Sequence, residues 1–404
     1  VSRLLARSSA PTLSGPGSRA GRDSQQENLA SLALVQFRWQ HGPMWSLFAG
    51  LVLSVSLSHA APAPALDWNP FEHPEKWKAQ FTSARYPIQV HYTHASDRTV
   101  ALHVLQTLEK SWKWETEELG FLAPFPYDPS PRNLYQVFLV RDHGTGVGSI
   151  EPSPAPPVPW AAQATYMVLD AWGDFGGVNL ESTVHHEFQH AVQASYEWFE
   201  SGSMYEMSAN FVQEKLSPGQ NQFFHSELEA FQSRPELPPL WYDDYDSLFM
   251  YGSALYLSFL ETRYFSAEGP RFLARIWAGA RSPVGDAHPS WIDGLNGILP
   301  SGTTYADTVI EFARWRYFVG RNVRPGHWPF SYEPEATDEV TVLGTARPEL
   351  ESEFRVAATP HLGTRYLRVA RPSLGETARV VLEAETRNTE WIIQALPGLD
   401  GSDG

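Results

Sequence analysis

Two hydrophobic periods alternate along this chain, and the switches between them mark its elements. Tyr86-Pro87-Ile88-Gln89-Val90-His91-Tyr92 alternates with period two and predicts a strand, with proline at its start, where a missing donor is tolerated. From Asp97, a candidate N-cap, the period lengthens. Val100, Val104, Leu105, Leu108 and Trp112 form one stripe of a helix that runs to about Leu119 and stops at Gly120. Leu134–Val140 predicts a second, more buried strand, and residues 164–170 a third. Between these two, Gly144, Gly146 and Gly148 and then the prolines of 152–159 predict a surface loop. No helix opens after those glycines, so they do not form a phosphate-binding loop.

After Gly173, Gly176 and Gly177 a helix starts near Val178, and the helical period persists to about 320. It is broken at Ser201-Gly202, Ser217-Pro218-Gly219 and Arg234–Pro239. From about 340 the period returns to two. Thr364–Val369, Ala378–Ala384 and Glu390–Ala395 predict half-buried strands of a small β-sandwich-like tail. The pattern as a whole predicts an α+β fold.

The amino terminus lacks either period. Residues 1–43 scatter Ser, Gly and Pro among Arg3, Arg7, Arg19, Arg22 and Arg38 and predict an extension without structure. Trp45–Leu57 is an apolar run of signal-peptide length, too short to span a bilayer comfortably, with Ser58 and Ala60 placed for cleavage. The competing reading is a buried core helix. A signal peptide over about 44–60 predicts a secreted or periplasmic protein with no stable membrane anchor. The domain plan is then 1–60 extension and signal, 61–83 linker, 84–200 an α/β subdomain, 201–335 a helical subdomain and 336–404 a β-rich tail.

Composition narrows the chemistry. The 404 residues contain no cysteine and carry a net charge of −16. Disulfides, thiol nucleophiles and cysteine-ligated metals are excluded, and the acidity argues against nucleic-acid binding. Residues 1–43 carry +3 and 44–60 no charge, which leaves −19 for the remainder. Eleven acids fall between Glu197 and Glu261, most simply a solvated face. Asp243, Asp244 and Asp246 offer a weak calcium site that lacks the glycine and distal glutamate of an EF-hand loop.

The informative segment is His186-Glu187-Phe188-Gln189-His190. Residues four apart share a helix face, so His186 and His190 can reach one metal ion, while Glu187 reaches a water held there. Val184, Phe188, Ala191 and Val192 are available for the buried side, and His185 lies off the metal face. Two imidazoles hold zinc poorly, and a hydrolytic site needs a third protein ligand and an open position. One known spacing puts a histidine six residues on, after a glycine; Tyr196 and Gln193 stand at those positions. The other puts a glutamate on the next helix, and Glu206 fits if a tight turn at 201–203 reverses the chain. Glu197 and Glu200 are rivals at the end of the first helix.

The pair His186-Glu187-Phe188-Gln189-His190 and Glu206-Met207-Ser208-Ala209 resembles the gluzincin zinc metallopeptidases. With Tyr251-Gly252-Ser253-Ala254-Leu255 and Phe312-Ala313-Arg314-Trp315, the stretch from about 180 to 320 is similar to uncharacterised myxobacterial metallopeptidases. Met207 stands where such families place a glycine. The resemblance implies a mixed sheet with an edge strand over the metal helix, then a helical lower subdomain. It implies zinc on His186, His190 and Glu206, with Glu187 as general base for hydrolysis of a peptide or protein substrate.

It also implies a Tyr or His donor to the developing oxyanion. Tyr251 is the candidate, with Tyr205, Tyr242 and His225 as rivals. Asn210, one turn after Glu206, is placed to accept a hydrogen bond from His186. Strand 164–170, with Tyr166 and Val168, is the expected edge for substrate pairing. Two other functions remain open on the residues alone: a secreted binding or surface protein with a structural or absent zinc, and a zinc hydrolase acting on another bond.

Overall fold

A computed structural model describes residues 2–9, 31–39, 70–72, 74–77, 79–127, 132–141, 148–152, 158–170, 180–218, 223–241, 248–284, 291–319, 339–346, 352–356, 362–369, 377–383 and 389–396. The strands are β1 (Ser2–Ser9), β2 (Ser31–Trp39), β3 (Ala79–Thr82), β4 (Ile88–Tyr92), β5 (Tyr135–Val140), β6 (Gly148–Pro152) and β7 (Thr165–Asp170). They continue with β8 (Val342–Ala346), β9 (Ser352–Val356), β10 (Thr364–Val369), β11 (Thr377–Glu383) and β12 (Thr389–Leu396). The helices are α1 (Arg98–Trp112), α2 (Leu180–Ala194), α3 (Gly202–Leu216), α4 (Phe223–Gln232) and α5 (Phe249–Gly252). After them come α6 (Ala254–Tyr264), α7 (Arg271–Gly279), α8 (Trp291–Ile298) and α9 (Tyr305–Tyr317). The fold is α+β.

The chain divides into two compact units, 44–231 with 239–308, and 1–43 with 232–238 and 309–404. In the first, a mixed five-stranded sheet has the order β3-β4-β5-β7-β6. β4, β5 and β7 are parallel, with Val90 opposite Val137 and Val137 opposite Met167. Parallel neighbours need a crossover, which α1 supplies between β4 and β5. Ile88, Val90, Val137, Leu139, Met167, Val168 and Leu169 are wholly buried, as expected for a sheet covered on both faces.

Three expectations change here. Residues 61–83 are not all linker: Ala79–Thr82 is the edge strand β3. Ahead of it, Phe71 meets Tyr127, Phe138 and Tyr166 edge-on, and Trp77 packs on Phe138. The predicted loop after Gly144 contains β6, antiparallel to β7, with Ser149 opposite Val168 and Glu151 opposite Tyr166. Its glycine and proline obscure a strand that an edge tolerates. Lastly, Asp97 precedes α1 without capping it, because its carboxylate receives Arg141 Nη2 at 2.6 Å instead. The helix does reach Glu118 through a wider π-type turn, and Gly120 follows at φ +83°.

α2 lies beside α1, β6, β7 and α3. Val184, Phe188, Ala191 and Val192 are wholly buried, and so is Met207 on α3. Ser201 caps α3, its side chain accepting from the Met204 N–H. Further on, α7 and α8 cross at two glycines. A Cβ on Gly294 would lie 2.4 Å from the Ile276 carbonyl oxygen and 3.2 Å from the Ala280 nitrogen. Backbone cannot yield as a side chain does. Gly294→Ala is therefore expected to destabilise the protein by about 1–3 kcal/mol, outweighing the ~1 kcal/mol that alanine gains in helix propensity. The midpoint of chemical denaturation reads this out.

The second unit differs from the predicted tail in what it includes. β11-β1-β9 and β12-β2-β10-β8 form two small sheets. Residues 2–9 and 31–39, expected to lack structure, supply a strand to each, with Leu4 opposite Leu382 and Leu34 opposite Gln394. The run Ser31–Trp39 is rich in apolar and aromatic residues that suit a strand. The boundary falls near 308, not 335. Ala313, Tyr317 and Phe318 at the end of α9 pack with Val340 and Tyr366 of this unit, and the Tyr366 hydroxyl donates to the Ala313 carbonyl. The apolar run 44–60 and the aspartates 243, 244 and 246 lie outside the described residues.

Candidate metal centre

The turn between α2 and α3 folds the second helix back along the first. His186 and His190, one helical turn apart on α2, present rings 4.6 Å apart and perpendicular. Glu206, on α3, meets both: its Oε2 lies 3.1 Å from His186 Nε2 and 3.5 Å from His190 Nε2. The three are largely buried, and their donor atoms lie within 4.8 Å of one another. The rivals are committed elsewhere. Glu197 accepts from the Phe199 and Ser282 N–H groups and the Ser282 hydroxyl, while Glu200 accepts from the N–H groups of Ser201 and Trp291.

Behind each imidazole sits a carboxamide. His190 Nδ1 contacts Gln193 Oε1 at 2.8 Å, and His186 Nδ1 contacts Gln213 Oε1 at 3.0 Å. The Gln193 amide cannot be flipped, because its Nε2 donates to the Tyr205 carbonyl at 3.0 Å and to Ser208 Oγ at 2.7 Å. Its oxygen therefore faces His190 and accepts from Nδ1–H, which directs Nε2 at Glu206. Outer-sphere acceptors of this kind fix the tautomer of metal-binding histidines. Two imidazole Nε2 atoms and a carboxylate oxygen, converging and oriented from behind, are able to hold a metal ion.

The charges fit the same reading. Burial alone would lower the His190 imidazole, but the charge and hydrogen bond of Glu206 outweigh it and push His190 up to about 9. Burial alone would raise Glu206; His190 and the bonds from both imidazoles instead bring it down to about 2. Glu187 is buried, and its carboxyl is raised, by burial first and then by Glu206, against the pull of His190 and His186. Metal ligation requires neutral imidazole, so uptake must expel the His190 proton. Metal uptake at pH 7.5 is expected to release about one proton from His190, a contribution that falls away as the pH passes 9. The dependence of the calorimetric heat on buffer ionisation enthalpy measures it.

The other expected residues divide. His185 is off the metal face, as expected; it is buried with Nδ1 2.6 Å from Ser111 Oγ, and burial lowers it to about 4. The Tyr251 ring stacks beside His186, centroids 6.1 Å apart. Tyr205 packs on His190, but its hydroxyl donates to the Glu197 carbonyl, so it is structural. Tyr242 and the side chain of His225 lie outside the described residues.

Two expectations are corrected. Asn210 does not serve His186; its Nδ2 donates to Glu227 Oε2 at 2.6 Å and to the Tyr251 carbonyl at 3.2 Å. Gln213, two turns beyond Glu206 and with the longer side chain, takes that role. Strand β7 is not an edge, because it pairs with β5 on one side and β6 on the other. Val168 is buried, and Tyr166 packs against Phe71, Tyr127 and Phe138. Among the described residues, β6 is the outer strand of the sheet, beside α2.

Gln193, Gln213 and Glu227 were missed. Gln193 is three residues after His190 and Gln213 seven after Glu206, so helical spacing was a usable signal for both; Glu227 gave none. No family model matches the chain, and no curated protein matches its sequence.

Proposed function

We propose that this protein is a zinc-dependent metallopeptidase of the gluzincin type, exported from the cell by a signal peptide at about 44–60. The observation that carries the reading is the convergence of both His Nε2 atoms on Glu206, with Glu187 buried beside them. A purely structural site has no need of that second acid. Two nitrogens and one carboxylate oxygen suit zinc and leave a coordination position open.

Zinc at such a site supplies Lewis acidity and lowers the pKa of water to about 7. The residues do the rest. Glu187 accepts the proton of the attacking water and delivers it to the departing amine. Tyr251, beside His186, donates to the carbonyl oxygen as negative charge develops on it. β6, the outer strand of the sheet among the described residues and next to α2, offers an extended peptide a strand to pair with.

Incubating the zinc-loaded protein with a peptide library and sequencing the products by mass spectrometry tests the reading. Cleavage abolished by a chelator and restored by zinc is the expected result. Cleavage of esters or other bonds with every peptide left intact would make it a different zinc hydrolase. Inertness towards all of them would favour a binding protein.

A further inference from the structure

Asn210 and Glu227 are buried polar residues outside the His186, His190 and Glu206 donor set. They meet at a junction of three helices. Asn210 is one turn after Glu206 on α3, so the helix that carries the third ligand also carries the Asn210 amide. That amide donates to the carboxyl group of Glu227, on α4, and to the main-chain carbonyl of Tyr251, on α5. The α4 backbone rests directly on the residue after Tyr251. A Cβ on Gly252 would lie 2.1 Å from the Glu227 carbonyl oxygen and 2.8 Å from Phe231 Cβ. α5 is a single turn, entered through Leu248 at φ +58°. One isolated turn has little stability of its own, so its neighbours must set its position.

We propose that Asn210 and Glu227 are positioning residues that hold Tyr251 beside His186 and so couple the oxyanion donor to the helix bearing Glu206. The inference rests on the role given to Tyr251 above. Glu227 suits the task, since a buried hydrogen-bonded acid locks its partner wherever the bond is satisfied. Burial first, and the Glu214 and Glu206 charges after it, push Glu227 up to about 8 against the Asn210 bond. Glutamine is therefore its close neutral mimic.

The test combines an activity readout with one that needs no turnover. 3-Fluorotyrosine placed at position 251 of the zinc-loaded full chain reports ring placement by fluorine NMR. One sharp line is expected in the parent protein, with a shifted and broadened line in Asn210→Ala and Glu227→Leu. Glu227→Gln is expected to restore the parent line. On a cleaved peptide, Asn210→Ala is expected to lower kcat about 10-fold, a part of what an oxyanion donor supplies, with KM and zinc affinity unchanged. Added to Tyr251→Phe, it is expected to cost nothing more.

An unchanged fluorine line in Asn210→Ala, or losses that add to those of Tyr251→Phe, would overturn the proposal. Where Asn210→Ala fails to fold, the Glu227→Leu and Glu227→Gln pair decides the same point. A parent protein that cleaves no peptide defeats the peptidase reading, while the fluorine line still decides the positioning.

Discussion

Glu187→Gln is expected to keep the metal and lose hydrolysis by about 10²–10⁴-fold, the usual worth of a positioned general base. Glutamine fills the same volume, so α2 keeps its packing and the three ligands keep their places. What disappears is the carboxylate that the proposed mechanism uses to take the proton from water. Glu187 is not within the converging donor set of His186, His190 and Glu206; it is buried in the field of all three. Zinc affinity by competition with a chromogenic chelator, set against turnover of a cleaved peptide, separates the two effects. A variant that loses zinc along with activity would make Glu187 a ligand. One that loses neither would remove it from the mechanism.

Glu206→Gln is expected to weaken zinc binding by more than about 100-fold, beyond the 10–100-fold typical of outer-sphere partners. It is also expected to remove the His190 share of the proton release on zinc uptake at pH 7.5. The weaker binding follows from losing an anionic ligand, and the lost proton from the fact that the Glu206 carboxylate is what raises His190 to about 9 in the metal-free protein. Without that charge, burial holds the imidazole neutral, and no proton remains to be expelled.

The sign also fixes a stability window. His190, raised from 6.5, contributes stability that is complete below about 6.5 and lost as the pH rises through 9. Glu206, lowered from 4.5, contributes stability that is complete above about 4.5 and lost as the pH falls through 2. The metal-free pair therefore stabilises the fold most between about pH 4.5 and 6.5, and Glu206→Gln flattens that profile. Urea midpoints across pH test it.

Helical spacing carried much of this centre into the sequence. His186 and His190 share a face whatever surrounds the helix, because 3.6 residues per turn brings positions four apart together. The same rule places Gln193 behind His190 and Gln213 beyond Glu206. It does not say whether Asn210 or Gln213 backs His186, since both share the Glu206 face. Side-chain length and the position of α4 settle that, and α4 draws Asn210 away to Glu227. Strand order was less legible. Thr165–Asp170 and Gly148–Pro152 alternate too briefly for their sequences to tell an edge from an interior position. Hydrogen bonds to strands far along the chain decide it.

By itself the sequence determined the α+β class, the metal-face pair of histidines with its adjacent acid, and the exclusion of any cysteine ligand. These depend on local period and residue chemistry alone. Only the tertiary structure decided that Glu206 closes the donor set, that β6 and not β7 is the outer strand among the described residues, and that Asn210 answers to Glu227 and Tyr251. Each of these depends on how one element packs against another. A carboxylate sixteen residues past a histidine becomes its neighbour only when the intervening turn lays one helix back along the other.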